Sequence, residues 1–292
     1  DTLFTASLVE KLQRIFKDNA QTLEPPDSAP IDTVVKHEIL LKENAIPQFT
    51  PARRVNPAEL VELQRQIQYL LSVGYIRPSQ SCWGSPVHFV PKPDGRLRMV
   101  TDYRKVNDVS QPMRGGLPKI DEIFDFIGNP KHKYFSIIDL RWGYWNLALS
   151  EDSKEKATIT TALGAYDSLV LQFGLNGAVS TFQNMIQSVL RPYIAKFCIP
   201  YIDDIPIASE TAEEHLQHIK LVVEACNKAK LKINFPKCHF FRTEIPLLGW
   251  RIGRKGRRID PDKAKTIIDW PRPELASDVA GVLGVAKHLA SV

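Results

Sequence analysis

The sequence predicts an α+β fold, in which helices and short strands are mixed. Some segments carry apolar residues at helical spacing, and others alternate as half-buried strands do. The two kinds do not follow one another in the regular βαβ order of a doubly wound parallel sheet. With 292 residues, 43% of them hydrophobic, the chain is long enough for two or three subdomains around more than one core.

The N-terminal part of the chain predicts two helices with a linker between them. Residues 7–17 have the spacing of a short amphipathic helix, and residues 24–32 are rich in proline and polar side chains, which is typical of a surface loop. The next helix has Asn56 as its N-cap and Pro57 at its first helical position, and it ends at Gly74.

Short strands follow this helix. Residues 86–90 and 96–101 flank the turn Lys92-Pro93-Asp94-Gly95, which predicts a β-hairpin with a basic rim. Residues 134–140 are apolar enough for a buried strand. Residues 197–202 and 205–208 read as two strands that are joined by a tight acidic turn.

The C-terminal half alternates between helical and extended patterns. Helices are predicted at residues 176–190, 213–229 and 262–270. Strands are predicted at residues 232–234 and 247–252, with a hairpin around Arg254-Lys255-Gly256.

Charge and composition narrow the function classes. The net charge is +5, but residues 219–274 hold 14 Lys or Arg against 6 Asp or Glu, so this basic end is a candidate for contact with a phosphate backbone. A solvated basic face explains the count equally well. The four cysteines form no CxxC pair, so neither a zinc site nor a disulfide framework is indicated. Without a long apolar run or a secretory start, we expect an intracellular protein with no membrane segment, cut from a longer chain.

The acidic turn is the strongest candidate for chemistry. Asp203 and Asp204 are adjacent inside the apolar run 197–207, where two like charges repel unless a cation is bound. Successive strand residues point to opposite faces, so a further carboxylate from a neighbouring strand is needed to hold a divalent metal. Asp139, at the end of the strand that includes residues 136–138, is the best candidate.

Sequence blocks around this turn carry a family resemblance. Tyr201-Ile202-Asp203-Asp204 resembles the YxDD motif of reverse transcriptases, and ten further blocks resemble, in order, those of LTR retrotransposons of the Ty3/gypsy type. They span about four fifths of the chain. The blocks are Gly74-Tyr-Ile-Arg-Pro-Ser, Trp83-Gly-Ser-Pro-Val, Lys92-Pro-Asp-Gly followed by Arg98, Asp102-Tyr-Arg-Lys-Val-Asn, Leu117-Pro-Lys-Ile-Asp, Phe135-Ser-Ile-Ile-Asp-Leu-Arg-Trp-Gly-Tyr, Gln172-Phe-Gly-Leu, Thr181-Phe-Gln, Leu248-Gly and Trp270-Pro-Arg-Pro.

The resemblance implies a right-hand polymerase with fingers, an antiparallel palm sheet with helices, and the start of a thumb or connection. We expect an N-terminal extension and linker at 1–55, and the fingers with the first part of the palm at 56–130. The palm with its catalytic hairpin is expected at 131–215, and the end of the palm, the primer grip and the start of the thumb or connection at 216–292. The implied activity is that of an RNA-directed DNA polymerase, which adds dNTPs to a primer 3′-hydroxyl by two-metal phosphoryl transfer on RNA or DNA templates.

The resemblance also implies roles for single residues. Asp139, Asp203 and Asp204 would be catalytic and would hold two Mg²⁺ ions, with Mn²⁺ as the alternative. Lys92 and Arg98 would hold the triphosphate of the incoming nucleotide.

Further residues of the nucleotide and primer sites follow in the same way. Tyr144 would clash with a ribose 2′-hydroxyl, with Phe173 near the same nucleotide and Gly174 allowing close backbone approach. The residues implied for primer and template contact are Tyr201, Gly249, Trp250 and Arg251.

The resemblance implies nucleic-acid partners, a location and two alternatives. RNA template, DNA primer, dNTPs, and RNase H and integrase parts of a parent polyprotein are the expected partners, in the cytoplasm within a virus-like particle or in the nucleus. One alternative is a decayed or domesticated fold that binds RNA or protein without turnover, and Pro200 and Pro206 beside the acidic turn favour it because proline deletes a strand N–H. The other is an RNA-dependent RNA polymerase, which the aromatic Tyr144 argues against.

Overall fold

A computed structural model of the chain describes residues 5–24, 35–91, 95–113, 115–141, 143–270, 272, 275–276, 278–279, 281 and 283–284. Within these residues the helices are α1 (Ala6–Asp18), α2 (Pro57–Ser72), α3 (Arg104–Val109), α4 (Ile120–Ile127), α5 (Glu151–Lys154), α6 (Ala178–Leu190), α7 (Ala212–Lys228) and α8 (Pro261–Ile268). The strands are β1 (Ile76–Pro78), β2 (Ser85–Pro91), β3 (Leu97–Thr101), β4 (Tyr134–Asp139), β5 (Ile159–Thr161), β6 (Gly164–Ser168), β7 (Asp204–Ser209), β8 (His239–Arg242), β9 (Glu244–Leu247), β10 (Trp250–Gly253) and β11 (Gly256–Ile259).

The helices predicted from periodicity are confirmed, with ends within two residues of those expected. Helix α2 begins as its caps predicted, since Asn56 Oδ1 accepts from Glu59 N at 2.8 Å and Glu59 Oε2 accepts from Asn56 N at 2.9 Å. This reciprocal pair satisfies two backbone donors that a helix start leaves unpaired.

The described part of the N-terminal segment packs against the rest of the chain. Helix α1 buries Leu12, Ile15 and Phe16 and lies against α7. His37 and Ile39 are also buried. The loop predicted at residues 24–32 lies outside the described residues, apart from its first residue.

A five-stranded sheet has the strand order β1-β6-β5-β2-β3. The predicted β2–β3 hairpin is confirmed by antiparallel pairing of Val90 with Arg98 and of Pro91 with Leu97. Strand β2 runs parallel to β5, and the remaining pairs are antiparallel. Because β5 and β6 come from residues 159–168, this sheet combines strands from both sides of the boundary we placed after residue 130.

The acidic turn projects from a second sheet, whose strand order is β7-β4-β8. Alternate residues of β4 face different cores. Ile138 lies in the larger core, which also takes residues from α1, α2, α6 and α7. Phe135 and Ile137 lie in a smaller core with Phe124 of α4 and Trp250 of β10.

Three strand predictions needed correction. Residues 197–202 are not a regular strand but make isolated bridges to β7 at Cys198 and Tyr201. The segment 232–234 makes a single bridge, Ile233 to Leu140, and the strand of the second sheet lies later, at β8. The predicted strand 247–252 is divided into β9 and β10 by a turn at Leu248 and Gly249, both of which have positive φ (+53° and +84°).

Candidate active site

Antiparallel pairing of β4 with β7 brings the catalytic candidates together. The register places Asp139 directly opposite Asp204, and Leu140 N donates to Asp203 O at 3.0 Å. The side chain of Asp203 is exposed at the tip of the turn, whereas Asp139 and Asp204 are half-buried. Carboxylates separated by 64 and 65 positions in the sequence therefore meet at one end of the sheet.

The electrostatics of this cluster favour a bound cation. Burial, followed by the charges of Asp203 and Asp139, raises the pKa of Asp204 to about 7 against an opposing effect of Lys237. Burial also raises the pKa of Asp139, with a smaller contribution from Asp203, while the Asn234 side chain and Lys237 lower it. The ionised carboxylates of Asp139 and Asp204 are therefore repelled by each other and by that of Asp203. A divalent ion bound between them would relieve this repulsion.

The carboxylates of this cluster are oxygen donors, which is the type of ligand that magnesium prefers. Among the described residues, no three or more His, Cys, Asp or Glu side chains are grouped so that together they could hold a metal ion. Mg²⁺ in polymerases and kinases commonly uses only one or two protein carboxylates and completes its shell with water and substrate phosphates. Asp139 and Asp204, which face each other across the β4–β7 pair, could supply the one or two carboxylates of such a site, and Asp203 lies next to them in the chain.

Two of the residues predicted for the nucleotide site, Tyr144 and Phe173, contact each other near the acidic turn. The ring of Tyr144 lies 4.7 Å from that of Phe173 and 5.5 Å from that of Phe182, measured between centroids. Burial and then the charge of Asp203 raise the pKa of Tyr144, so its hydroxyl is near the turn. Phe173 is 53% exposed and presents an aromatic face to solvent beside Tyr144.

Gly174 follows Phe173 in a loop that Asn107 holds. Asn107 Nδ2 donates to Gly174 O at 2.7 Å, and Asn107 Oδ1 accepts from Asn176 N at 2.8 Å. Gly174 has φ +88°, and a Cβ there would come no closer than 3.8 Å to Thr101 O. Within the chain, glycine is therefore favoured at this position by backbone conformation and not by a lack of space.

Of the two cations expected to hold the triphosphate, one lies on the described part of the β2–β3 hairpin. Arg98 is exposed on β3, opposite Val90 of β2. Lys92 lies outside the described residues. The role of both side chains remains a prediction.

The residues predicted to contact primer and template occupy two places. Tyr201 exchanges two backbone hydrogen bonds with Asp204, at 2.9 and 3.1 Å, next to the carboxylates. Gly249 forms the β9–β10 turn, and Trp250 is buried against Phe124. Arg251 Nε donates to Asp260 Oδ2 at 2.7 Å, so this cation is already neutralised within the chain.

Other cations of the basic C-terminal region also have partners. Arg258 forms a two-point interaction with Glu244, at 2.6 and 3.3 Å, and Arg254 Nε donates to Lys133 O at 2.7 Å. Lys255 is exposed at the hairpin tip between β10 and β11. The charge count of residues 219–274 therefore overestimated the number of cationic side chains that are free to contact a phosphate backbone.

Several residues beside the site were not singled out from the sequence. Gln183 of α6 contacts the acidic turn, and Asn234, Lys237 and Cys238 surround Asp139. Gln183 belongs to the Thr181-Phe-Gln block, which was the one signal that could have drawn attention to it. The other three carry no pattern of their own that points to β4.

Comparisons with known proteins agree with this architecture. A family model described as "Reverse transcriptase (RNA-dependent DNA polymerase)" matches residues 90–252. The retrovirus-related Pol polyprotein from transposon opus of Drosophila melanogaster is 35% identical over 289 residues, which are 97% of this chain and 28% of that protein. The corresponding polyprotein from transposon gypsy of the same organism is 32% identical over 268 residues, covering 90% and 26% respectively. The chain thus spans about a quarter of the length of these relatives.

A solved structure supports the fold class. The foamy viral protease-reverse transcriptase in complex with RNA/DNA hybrid superposes with a TM-score of 0.83 at 22% identity, over 97% of this chain and 38% of that one. The predicted α+β polymerase fold is therefore confirmed. In the part of the chain that the structure describes, no helix is both long and apolar enough to cross a membrane.

Proposed function

Because the chain belongs to the reverse transcriptase family, as a member of the Ty3/gypsy LTR retrotransposon type, we propose that it is the polymerase part of an RNA-directed DNA polymerase. It would extend a primer 3′-hydroxyl with dNTPs on an RNA or DNA template. The observation that carries this proposal is the placement of Asp139 opposite Asp204, with Asp203 exposed at the same strand end.

The chain's own residues would supply position and charge rather than a covalent nucleophile. Asp139, Asp203 and Asp204 would hold two Mg²⁺ ions, with Mn²⁺ as the alternative. These ions, when bound, supply the positive charge that activates the primer hydroxyl and stabilises the pyrophosphate leaving group. The half-buried setting of Asp139 and Asp204 strengthens their electrostatic interactions relative to open water.

The nucleotide would lie against the aromatic pair beside the turn. The exposed face of Phe173 offers a surface for the sugar and base, and Tyr144 is fixed by its packing between Phe173 and Phe182. A ring held in this way cannot easily move aside, so a 2′-hydroxyl on the sugar would clash with it. Arg98 and Lys92 would meet the triphosphate, and Gly174 would let the backbone approach the nucleotide.

The duplex would contact the turn between β9 and β10. Gly249 provides the tight turn, Trp250 anchors it in the smaller core, and Arg251 is held by Asp260 beneath it. Tyr201 would meet the primer end next to the carboxylates. The RNA/DNA hybrid in the foamy viral complex supports the same kind of duplex as partner here.

Pro206, one of the two prolines that favoured a non-catalytic protein, leaves the pairing of β4 with β7 intact. Pro206 pairs with Ile137 in the β4–β7 register, which continues unbroken from Tyr134–Ser209 to Asp139–Asp204. Strand residues alternate in the direction of their N–H groups, and the hydrogen bond from Leu140 N to Asp203 O implies that residue 206 would direct its N–H away from β4. The β4–β7 hydrogen bonds, which pair Asp139 with Asp204, therefore do not use the N–H that Pro206 lacks.

Primer extension would test the proposal. The assay is incorporation of dNTPs into a DNA primer on an RNA template with Mg²⁺, comparing the wild type with Asp203→Asn and with the exposed control Asp152→Asn. We expect Asp203→Asn to reduce the rate by about 1,000-fold, as the loss of a key electrostatic group does, while duplex binding and the control rate stay unchanged. Equal rates for the wild type and Asp203→Asn would refute the catalytic assignment.

We also propose that the chain acts inside the cell, in the cytoplasm within a virus-like particle or in the nucleus, together with RNase H and integrase parts of a longer polyprotein. The free state of Cys82, Cys198, Cys226 and Cys238 supports a reducing compartment. The relatives' description as Pol polyproteins supports further parts. Fractionation of cells expressing a tagged full-length protein would test the location.

A further inference from the structure

The hairpin that carries Asp203 and Asp204 has few backbone hydrogen bonds of its own. Tyr201 and Asp204 exchange a pair at the turn, and further along Ala208 N donates to Phe197 O at 3.0 Å. The same register pairs Ile199 with Pro206 between these points. Pro206 has no N–H, so it cannot donate the hydrogen bond to Ile199 O that another residue at this position would make. The ladder therefore lacks this one hydrogen bond directly behind the acidic turn.

A buried side chain from α6 contacts the turn on its other side. Gln183 is fully buried; its Nε2 donates to Pro200 O at 2.9 Å, and its Oε1 accepts from Ile202 N at 2.7 Å. These two backbone groups flank Tyr201 and, by strand alternation, face away from β7. The Gln183 amide thus makes the same two hydrogen bonds that the backbone N–H and C=O of a residue in an adjacent parallel strand would make. It can do so because a side-chain amide, like the backbone, has an N–H donor and a C=O acceptor.

The turn also contains a strained residue. Ile202 has φ +55°, which is unusual for any non-glycine residue and particularly unfavourable for a β-branched one. Such a conformation costs on the order of 1–3 kcal/mol and persists only where surrounding contacts maintain it. The hydrogen bond from Ile202 N to Gln183 is a contact made by the strained residue itself.

We propose that Gln183 is a positioning residue, which holds the Tyr201-Ile202-Asp203-Asp204 turn and compensates for the ladder hydrogen bond that Pro206 cannot donate. Its effect on catalysis rests on the proposed polymerase function, whereas its effect on the turn does not. The side chain acts through the backbone on both sides of Tyr201 and does not itself reach the substrate. Loss of the amide lets the turn shift, so that Asp204 leaves its place opposite Asp139 and Asp203 moves with it.

This role differs from that of an ordinary buried glutamine by its coupling to Pro206. If the Gln183 amide only satisfied its own hydrogen bonds, its removal would lower kcat by the same factor whichever residue stands at position 206. An amide that replaces the ladder should matter less once the ladder is restored. Pro206→Val supplies the missing N–H opposite Ile199 with a side chain of similar size that suits a strand.

The first measurement compares Gln183→Met, which keeps the volume and removes the amide, with Gln187→Met one turn further along α6. We expect Gln183→Met to lower kcat for primer extension about 100-fold, as a displacement of about 1 Å can do, with KM for dNTP and duplex affinity within about twofold. Hydrogen exchange at the Ile202 amide should become at least about tenfold faster. Gln187→Met should resemble the wild type in all of these.

The second measurement is a double-mutant cycle with Pro206→Val. Restoring the ladder should reduce the kcat loss caused by Gln183→Met from about 100-fold to about tenfold or less, and should slow exchange at Ile202 again. An equal loss in both backgrounds would overturn the proposal, as would unchanged kcat and unchanged exchange in Gln183→Met.

Misfolding of a variant and inactivity of the wild type are each covered by a second measurement. If Gln183→Met does not fold by circular dichroism, the same cycle is run with Gln183→Glu, which keeps the acceptor for Ile202 N–H and places an oxygen against Pro200 O. If the wild type does not extend primers, the proposed function fails. The exchange rates at Ile202 in the four proteins of the cycle still decide whether Gln183 holds the turn.

Discussion

The Cys238 thiol lies behind Asp139 and connects it to the turn before β8. Cys238 Sγ accepts a hydrogen bond from Asp139 N at 3.4 Å and donates one to Asn234 O at 3.4 Å. Burial raises the pKa of Cys238 to about 12, so the sulfur keeps its proton at neutral pH and can donate and accept at once. Asn234 N also donates to Asp139 O at 2.9 Å. The end of β4 is thus held from outside its own sheet pairing with β7.

We expect Cys238→Ala to impair catalysis more than folding. The substitution leaves Asp139 N–H without its acceptor, a loss of about 1–3 kcal/mol for a buried donor, and should lower kcat about tenfold through a displaced carboxylate. Cys238→Ser keeps a donor and acceptor and should recover most of the rate. Exposed Cys82→Ala is the matched control. Single-turnover primer extension is the measurement, and a wild-type rate in Cys238→Ala would contradict the prediction.

Sugar selection should depend on the ring of Tyr144. Tyr144→Ala removes the bulk that would meet a 2′-hydroxyl, so we expect the preference for dNTP over rNTP to fall by about 10- to 200-fold, the range for discrimination by steric fit. Tyr144→Phe keeps the ring and should keep the preference. Relative kcat/KM for dNTP and rNTP measures the effect. An unchanged ratio in Tyr144→Ala would refute the assignment.

Acid should destabilise the fold through His215. This side chain lies between Ser136 Oγ at 2.7 Å and Ser209 Oγ at 2.8 Å, and burial, followed by nearby His218 and His132, lowers its pKa to about 3. In the unfolded chain His215 is protonated below about pH 6.5, whereas in the folded chain it stays neutral down to about pH 3. The free energy of unfolding therefore falls as the pH decreases from about 6.5 to about 3.

Comparison of the wild type with His215→Gln separates the effect of His215 on the pH dependence of stability from that of Asp204. The raised pKa of Asp204 acts with the opposite sign between its ordinary value and about 7, because there the folded state holds the extra proton. His215→Gln leaves Asp204 in place and should flatten the pH dependence of the unfolding free energy by up to about 1.4 kcal/mol per pH unit. Urea unfolding from pH 7.5 to 4.5 measures it. Parallel curves for the two proteins would show that His215 is not the group responsible.

Primer binding should depend on Asp260. It accepts from Arg251 Nε at 2.7 Å and from Asp262 N at 3.0 Å, and its own N–H donates to Gly249 O at 3.1 Å, so it ties the β9–β10 turn to the start of α8. We expect Asp260→Ala to weaken affinity for a primer–template duplex about tenfold, since the turn loses a charge-assisted hydrogen bond that sets its position.

The control for this prediction is Asp269→Ala, which removes an exposed carboxylate near the end of the same helix. Fluorescence anisotropy at several salt concentrations separates the two possible effects of Asp260→Ala. A freed Arg251 would bind phosphate directly, strengthen affinity and steepen the salt dependence. That result would show that Asp260 masks a phosphate contact and does not support the turn.

The sequence predicted most helices and the composition of the acidic site. Apolar spacing and the Asn56 cap located α2, since helical hydrogen bonds and caps involve residues close in the chain. Prediction failed where pairing is non-local. Residues 197–202 looked like a strand, but the partner strand contains Pro206, and residues 232–234 looked extended although β8 supplies the sheet's edge.

The sequence by itself determined the family and the α+β class, because these depend on residue types in a fixed order, and it singled out the three carboxylates as candidates. Only the tertiary structure decided that Asp139 stands opposite Asp204, that Arg251 is neutralised by Asp260, and that the Gln183 side chain hydrogen-bonds to Pro200. A period of two or of 3.6 residues tells which face of an element is apolar. It does not tell which distant side chain lies across from that face.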